Sequence, residues 1–469
     1  MFLLSLAASQ PDSFGGEHLW TIDQIVAVLR RVHVEEMLLP LLLQLVLIIV
    51  VARIFATLAR RVYQPGVVGE IVAGLVLGPS VLGALFPQVF SWLFHPGLPQ
   101  VPHALADQVL SSVMSTLSQL GLIFLLFLVG LEFDFGHLRW HGYAAFLISL
   151  VGIAFPFLLG LGLAQWMYPY VEPLPRLGFS LFLATALSIT ALPILGRMMI
   201  DLNITRTRLG TITISAAAVD DAGGWILLAA VAALARADFN AWKIAAMAAE
   251  TVGFALLMVI LGRPLARYFA ARLTERGDGE ITINELAALL TIVLLCALVT
   301  NLIGIFAIFG AFLFGAICSR EAVLREAVRR RMLDFVSAFF LPIFFTYTGL
   351  RTDVGTLDSR VLWGFCVVVI LAAIVGKLIG CMCAARIGGF SWRESFCIGT
   401  MMNTRALMAL VVINVGRDLG VISPSIFCML VLMAVLTTLM TTPLLLLAMP
   451  GTELEPYIRA SGFLRQPGK

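Results

Sequence analysis

Long apolar stretches follow one another along the chain and are separated by short polar segments. A bilayer core takes about 20 apolar residues of α-helix to cross. On that length the pattern predicts thirteen spans, at residues 37–59, 66–86, 116–135, 142–169, 178–200, 208–235, 240–262, 283–303, 305–320, 335–350, 360–385, 394–416 and 423–448. We number them spans 1 to 13. Spans 9 and 10 are short for a full crossing, so the count is open by one there.

Lys and Arg residues fall mainly in alternate connecting segments. Most of the 31 Lys and Arg lie on one side of the predicted membrane when residue 1 is outside and residue 469 inside. Cytoplasmic loops are enriched in these residues. We therefore predict an extracytoplasmic segment at 1–36, a transmembrane domain at 37–450 and a short cytoplasmic tail at 451–469. The protein is expected to be an integral, multi-pass protein of a bacterial inner (plasma) membrane.

Composition agrees with a polytopic membrane protein, because 60% of the residues are hydrophobic and only 13% are charged. The net charge of +3 is spread over many loops without the basic block that nucleic-acid binding requires, so no nucleic-acid partner is expected. The seven cysteines lie almost entirely in apolar stretches, and Cys381 with Cys383 lacks a second pair at metal-ligand spacing. We interpret them as small buried residues and expect no cofactor.

Two adjacent aspartates, Asp220 and Asp221, lie at the middle of span 6. One charge at that depth costs about 3 kcal/mol on insertion scales, so such residues need a partner, a proton or a water-filled cavity. Successive helical residues point about 100° apart, so these two carboxylates cannot share one environment. The pair predicts an ion or proton site.

Three further spans carry polar residues near their centres: Ser188 and Thr190 before Pro193 in span 5, a lone Lys377 in span 11, and Asn403, Thr404 and Arg405 in span 12. A buried ammonium needs an anion nearby, and a proline frees a backbone carbonyl. Spans 5 and 12 become equivalent if a six-helix unit is repeated in inverted orientation. We therefore predict an all-α fold with inverted repeats, two crossed discontinuous helices and a site at the midplane.

Six stretches carry a resemblance to a known family: PGVVGEIVAGLVLGPSVLG (65–83), LLFLVGLEFD (125–134), ALSITALPILGRMM (186–199), SAAAVDDAGGWILLA (215–229), LPIFFTYTGLRTD (341–353) and MNTRALMALVVINVG (402–416). Together they resemble the monovalent cation:proton antiporter superfamily, in its second branch. That branch includes bacterial sodium or potassium/proton antiporters, Kef-type systems and plant cation/H+ exchangers. The resemblance implies a Na+/H+ antiporter fold with a dimerisation subdomain and a moving core (elevator) subdomain, usually in a homodimer.

The resemblance also implies roles for individual residues. Asp221 matches the main cation- and proton-binding carboxylate, where Na+ or K+ would bind, and Asp220 matches the carboxylate that pairs with a lysine, here Lys377. The positions of Ser188, Thr190, Asn403, Thr404 and Arg405 match the crossover helices. From the residues alone, Arg405 is better explained as a compensator of helix dipoles than as a substrate ligand.

The expected function is secondary active exchange of Na+ or K+ for H+ by alternating access, in membrane lipid and without enzyme activity. The aspartate pair with a lysine is the family pattern associated with electrogenic exchange. Plant exchangers mostly have Asn-Asp at Asp220–Asp221 and Glu at Ala409, so the chain departs from them there. Kef-like K+ efflux, a cation channel, sodium-coupled uptake of an organic anion and an intramembrane aspartyl protease are the alternatives. The protease fits poorly, because its two carboxylates must lie on facing helices.

Overall fold

The structure is a computed structural model that describes residues 34–461 except 63, 97–102, 133–141, 172–173, 206, 237–240, 277–279 and 305. Over these residues every regular element is helical. The helices are α1 Val34–Arg61, α2 Gly66–Leu77, α3 Pro87–Phe94, α4 His103–Glu132, α5 Gly142–Met167, α6 Arg176–Ser188, α7 Leu192–Asp201, α8 Arg208–Arg236, α9 Ala241–Leu257, α10 Arg263–Arg276, α11 Ile283–Ile303, α12 Ala307–Cys318, α13 Ala322–Phe335, α14 Leu341–Leu350, α15 Arg360–Ile387, α16 Trp392–Met402, α17 Ala406–Asp418, α18 Pro424–Ala448 and α19 Leu454–Ala460. Most of the predicted N-terminal segment (1–33) and the end of the predicted tail (462–469) lie outside the described residues.

Ten helical segments of the described chain are long and apolar enough to cross a membrane: Met37–Arg61, Gly66–Gly83, Ala106–Leu131, Tyr143–Tyr170, Arg208–Ala235, Ala245–Arg276, Ile283–Ile303, Ala322–Thr356, Arg360–Ile387 and Pro424–Ala448. Helices α16 and α17 form one further candidate span, bent by 42° at its break. The predicted spans 5 and 9 contain the shorter apolar helices α6 and α12. Each predicted span therefore coincides with a helix or with a pair of helices.

Two predicted span boundaries are wrong. Helix α4 begins at His103 rather than at 116, and the segment predicted as a loop after span 9 is helix α13, which continues through a π-helical turn, Val336–Phe340, into α14. The polar residues of α13 form a helix because they pair along its exposed face. Glu326 accepts hydrogen bonds from Arg329 at 3.3 Å and Arg330 at 3.0 Å, three and four residues later.

Side-chain caps fix several helix starts in this apolar chain. Thr282 with Glu285 forms a capping box at the start of α11, and Ser391 with Glu394 forms one at the start of α16. Both satisfy backbone N–H groups that the first helical turn leaves without partners. The cysteines are all free thiols, six of them buried, whereas Cys383 is exposed and corrects the prediction that all seven are buried.

The helices pack in two groups. Helices α1, α2, α4, α12 and α14 pack on one another. Helices α5, α8, α15 and α18 pack around two interrupted pairs, α6 with α7 and α16 with α17. Glycines bring the first group close, since a Cβ added to Gly74 on α2 would lie 2.8 Å from the Cα of Gly349 on α14. In the second group, residues 406–413 of α17 are all buried. The polar positions predicted from the sequence lie in this second group.

Candidate functional site

Two interrupted helices cross at the centre of the second group. Between α6 and α7 the chain is extended, and Pro193, which lacks an N–H group, takes the second position of α7. Between α16 and α17 it leaves helical geometry for three residues. The breaks are joined by hydrogen bonds from Thr190 Oγ1 to the carbonyl of Met402 at 2.9 Å and from the Ala191 N–H to the carbonyl of Thr404 at 2.9 Å. The predicted crossing of two discontinuous helices is thus present in the fold.

Lys377 and Asp220 form a buried ion pair beside this crossing. The ammonium Nζ lies 2.8 Å from Oδ1 and 3.0 Å from Oδ2 of Asp220, and both side chains have no exposed surface. Lys377 also donates to the carbonyls of Gly152 at 2.8 Å and Ser188 at 2.5 Å, and Asp220 Oδ2 accepts the Thr190 N–H at 2.8 Å. An ammonium has three N–H donors, so every donor of Lys377 has an acceptor. The pair ties α5, α6, α8 and α15 together.

Asp221 lies in a different environment, as the angle between adjacent helical residues requires. Its Oδ2 accepts a hydrogen bond from Trp225 Nε1 at 3.2 Å, and its side chain is fully buried. Its Oδ1 is buried and has no hydrogen-bond partner among the described residues. Leaving a buried polar atom without a partner costs about 1–3 kcal/mol, and more for a charged group. Asp221 therefore retains an oxygen that a proton or a cation can occupy, whereas the oxygens of Asp220 are already bonded.

Arg405 is fully buried at the start of α17 and donates to backbone carbonyls. Its guanidinium contacts the carbonyls of Leu187 and Ala186, the latter at 3.3 Å, at the C-terminal end of α6, and of Ala373 on α15 at 2.7 Å. The C-terminal end of a helix carries partial negative charge, which a cation stabilises. The contacts fit the dipole-compensating role that the sequence favoured over a role as substrate ligand.

Further oxygen atoms near the break of span 12 are buried without hydrogen-bond donors among the described residues. They are Asn403 Oδ1 and Thr400 Oγ1, whose residues are each 1% exposed. Thr404 differs, because its hydroxyl donates to the carbonyl of Met401 at 2.9 Å. Carboxylate, amide and hydroxyl oxygens are hard ligands suited to alkali cations. The crossing therefore provides neutral oxygens on α16 and in the break after it, in addition to the carboxylate on α8.

Three residues of this region were not predicted from the sequence: Gly152, Trp225 and Thr400. Trp225 lies four residues after Asp221, so the (i, i+4) rule could have identified it as a neighbour. Thr400 lies one helical turn before Asn403 and shares its face. The contribution of Gly152 is a backbone carbonyl and a lack of side chain, for which a sequence has no signal.

Gly152 has no room for a side chain, so we expect Gly152→Ala to destabilise the protein. An added Cβ would lie 2.6 Å from the Sγ of Cys381, on the helix that carries Lys377. Such overpacking typically costs about 1–3 kcal/mol. Thermal unfolding in detergent, followed by fluorescence-detected size exclusion, should show a lower melting temperature for the variant.

The same helix provides a matched control for this substitution. A Cβ at Gly162 on α5 meets no atom within 4 Å, so Gly162→Ala should leave the melting temperature unchanged or slightly raised. Cys381→Ala removes the clashing sulfur, so combining it with Gly152→Ala should recover most of the lost stability. Equal melting temperatures for Gly152→Ala and Gly162→Ala would show that the close approach at Gly152 is unimportant.

Comparison with known proteins identifies the class. Residues 46–447 match the family described as sodium/hydrogen exchanger, transmembrane. That match covers most of the chain, which therefore belongs to this family, and it confirms the resemblance found in the sequence.

Individual relatives agree with this assignment. The chain is 39% identical over 417 residues to the Na(+)/H(+) antiporter NhaS4 of Synechocystis, covering 88% of this chain and 98% of that protein. It is 38% identical to the Cation/H(+) antiporter 17 of Arabidopsis thaliana and 30% identical to the K(+)/H(+) antiporter 1 of Saccharomyces cerevisiae. These matches cover 89% and 88% of this chain but only 50% and 46% of those proteins, so the chain spans about half of each.

A solved structure shows the same fold. The sodium proton antiporter MjNhaP1 from Methanocaldococcus jannaschii superposes with a TM-score of 0.57 at 15% sequence identity, covering 91% of this chain and 100% of that one. At that identity the similarity concerns the fold alone. It confirms the predicted antiporter fold.

Proposed function

We propose that this protein is a secondary active transporter that exchanges a monovalent cation, Na+ or K+, for protons by alternating access. The observation that carries the proposal is the fully buried Asp221, whose Oδ1 has no partner among the described residues while the neighbouring Asp220 is held by Lys377. Membership of the sodium/hydrogen exchanger family supports it. Both Na+/H+ and K+/H+ antiporters occur among the named relatives, so the choice of cation stays open between the two.

The proposed mechanism rests on one carboxylate that binds either substrate. An ionised Asp221 is costly to keep buried, and a proton or a dehydrated cation neutralises it. Asn403, Thr400 and the backbone at the crossing supply neutral oxygens to a cation bound there. The loaded site then moves across the membrane, whereas the empty one does not. Cation and proton therefore compete, and each drives the other in the opposite direction.

We further propose that the exchange is electrogenic. The site holds two carboxylates and one ammonium, so it contains titratable groups in addition to the carboxylate that binds the cation. An aspartate pair with a lysine is the family pattern associated with electrogenic exchange, and Asp220 with Lys377 keeps that pattern here.

We also propose an assembly and a membrane orientation for the protein. The group of α1, α2, α4, α12 and α14 corresponds to a dimerisation subdomain, and the helices around the crossing correspond to a core that moves as an elevator, in a homodimer embedded in lipid. The distribution of Lys and Arg supports an N-terminus outside and a C-terminus in the cytoplasm. We place the protein in a bacterial inner membrane.

The geometry favours exchange over the alternatives. A protease dyad needs two carboxylates that share a proton, but Asp220 is bonded to Lys377 and Asp221 to Trp225. A channel needs a continuous aqueous path, whereas Asp221 has no exposed surface. A Kef-like K+ efflux system would use the same carboxylate and differs only in the cation and its coupling.

The function is tested with purified protein in proteoliposomes that hold a proton gradient. Addition of Na+, K+, Li+ or Rb+ should dissipate the gradient for at least one of Na+ and K+, as measured by dequenching of a pH-sensitive dye. Repeating the assay with the membrane potential clamped at several values should change the rate if the exchange is electrogenic. Failure of every cation to dissipate the gradient would contradict antiport, and indifference to the potential would contradict electrogenicity.

A further inference from the structure

Trp225 connects the carboxylate of Asp221 to a helix of the other packing group. Its indole lies one turn after Asp221 on α8 and donates to Oδ2, and the residue is only 2% exposed. The ring also contacts α12. The centroid of Phe312 lies 5.6 Å away in a stacked arrangement with 28° between the planes, and that of Phe309 lies 5.7 Å away, edge to face at 90°.

The surrounding contacts show that α8 and α12 meet along this face. Ala218 on α8 and Ala316 on α12 are buried in one cluster, against which Phe312 packs. Helix α12 in turn packs on α4. Trp225 is therefore fixed between the helix that carries the aspartates and a helix of the first group. An aromatic ring held by two others on one side has little rotational freedom, so its N–H direction is defined.

We propose that Trp225 is a positioning residue for ion exchange, because its N–H group holds Asp221 Oδ2 and leaves Oδ1 as the oxygen that receives the cation or the proton. The inference rests on the proposed role of Asp221 as the carrier. It adds a residue that sets the competition between the two substrates, and it makes that competition depend on the contact between α8 and α12.

Among the described residues, no hydrogen bond joins a neighbouring charged group to Asp221, and the other donor close to it is the backbone N–H of Leu192 at the start of α7. Within the described part of the chain, the charged groups that interact with the carboxylate pair are Lys377 on α15, which is ion-paired with Asp220, and Arg405 at the start of α17. The three N–H groups of Lys377 are used by Asp220 and two carbonyls. The hydrogen bonds of Arg405 go to carbonyls of α6 and α15, and its Nε has no hydrogen-bond partner among the described residues. Helices α5 and α12 carry no Asp, Glu, Lys, Arg or His within their bounds.

Loss of the Trp225 N–H group should change how the cation and the proton compete for Asp221. A hydrogen bond to an ionised carboxylate favours the charged form over the protonated one. Without the indole donor, a proton is retained to higher pH, and the cation needs a higher concentration to displace it. We expect the apparent KM for the cation to rise about tenfold at a fixed pH, equivalent to an alkaline shift of about one pH unit in the activity profile.

The test replaces Trp225 by β-(3-benzothienyl)alanine through amber suppression, since this analogue keeps the ring shape but has no N–H donor. The expected result is the alkaline shift together with a KM effect larger than the effect on the maximal rate. Trp225→Phe should give a shift in the same direction. Phe309→Leu keeps the donor but loosens the contact that fixes its direction, so it should give a smaller shift in the same direction. The matched control is the same analogue at Trp166, an exposed indole that packs on Phe365, and it should leave the pH profile unchanged.

Two outcomes would overturn the inference. One is an analogue whose pH profile and KM equal those of the wild type, and the other is a uniform loss of rate at every pH without a shift. Failure of the underlying function is distinguishable from both, because the wild-type protein itself would then show no cation-dependent proton flux.

Discussion

Asp221→Asn is expected to abolish cation-dependent proton exchange while the protein still inserts and folds. The substitution keeps the size of the side chain but removes the group that titrates and that balances the charge of a bound cation. The Trp225 N–H can still donate to the amide oxygen, so the local packing is preserved. The measurement is the dequenching assay in proteoliposomes, at several pH values and at saturating Na+ and K+.

The control for this prediction is a carboxylate that lies outside the crossing. Asp418 lies at the end of α17 and is ion-paired with Arg351 at 3.1 Å, with 31% of its side chain exposed. Asp418→Asn should retain most of the exchange, because an exposed pair contributes little and lies apart from the crossing. Size-exclusion profiles of both variants check that they fold. Cation-dependent proton flux at the wild-type rate in Asp221→Asn would contradict the role of Asp221.

Lys377→Ala is expected to cause a larger loss of stability than Gly152→Ala. It leaves the carboxylate of Asp220 buried without its cation, and it removes the donor from the carbonyls of Gly152 and Ser188. Removing one partner of a buried ion pair typically costs about 3–5 kcal/mol. The apparent melting temperature in detergent should therefore fall by many degrees.

Two variants separate the buried charge from a general effect of losing a cation. Arg459 forms an exposed pair with Glu455, so Arg459→Ala should change the melting temperature little. The double variant Asp220→Asn with Lys377→Gln removes both charges and keeps hydrogen-bonding groups, so it should be more stable than Lys377→Ala alone. If Lys377→Ala melts at the same temperature as Arg459→Ala, the ion pair does not hold these four helices together.

Much of the fold was predictable because a membrane limits the structures that a chain can adopt. Apolar length alone placed a helix in each predicted span, and polar residues at mid-span marked the interrupted spans 5 and 12. The lone Lys377 required an anion, and Asp220 provides it. These inferences succeed because burying an unpaired charge or an unpaired backbone group in lipid is expensive, so few arrangements satisfy the sequence.

Other features depend on contacts between distant segments and leave no local signal. Helix α13 was predicted as a loop, because its arginines interrupt the apolar pattern although they favour helix. The carbonyl that Gly152 offers to Lys377 depends on how α5 approaches α15. The stacking of Trp225 on Phe312 depends on the packing of α8 against α12. Sequence patterns indicate which residues must be buried together, whereas tertiary packing decides which atoms meet.

If Asp221 binds either a cation or a proton, the two substrates must compete for it. The apparent KM for the transported cation is measured in proteoliposomes over a series of pH values, equal on both sides, with the membrane potential clamped. A shared carboxylate predicts that KM rises as the pH falls, approaching about tenfold per pH unit for one competing proton, while saturating cation restores the rate. A KM that is independent of pH would contradict a shared site.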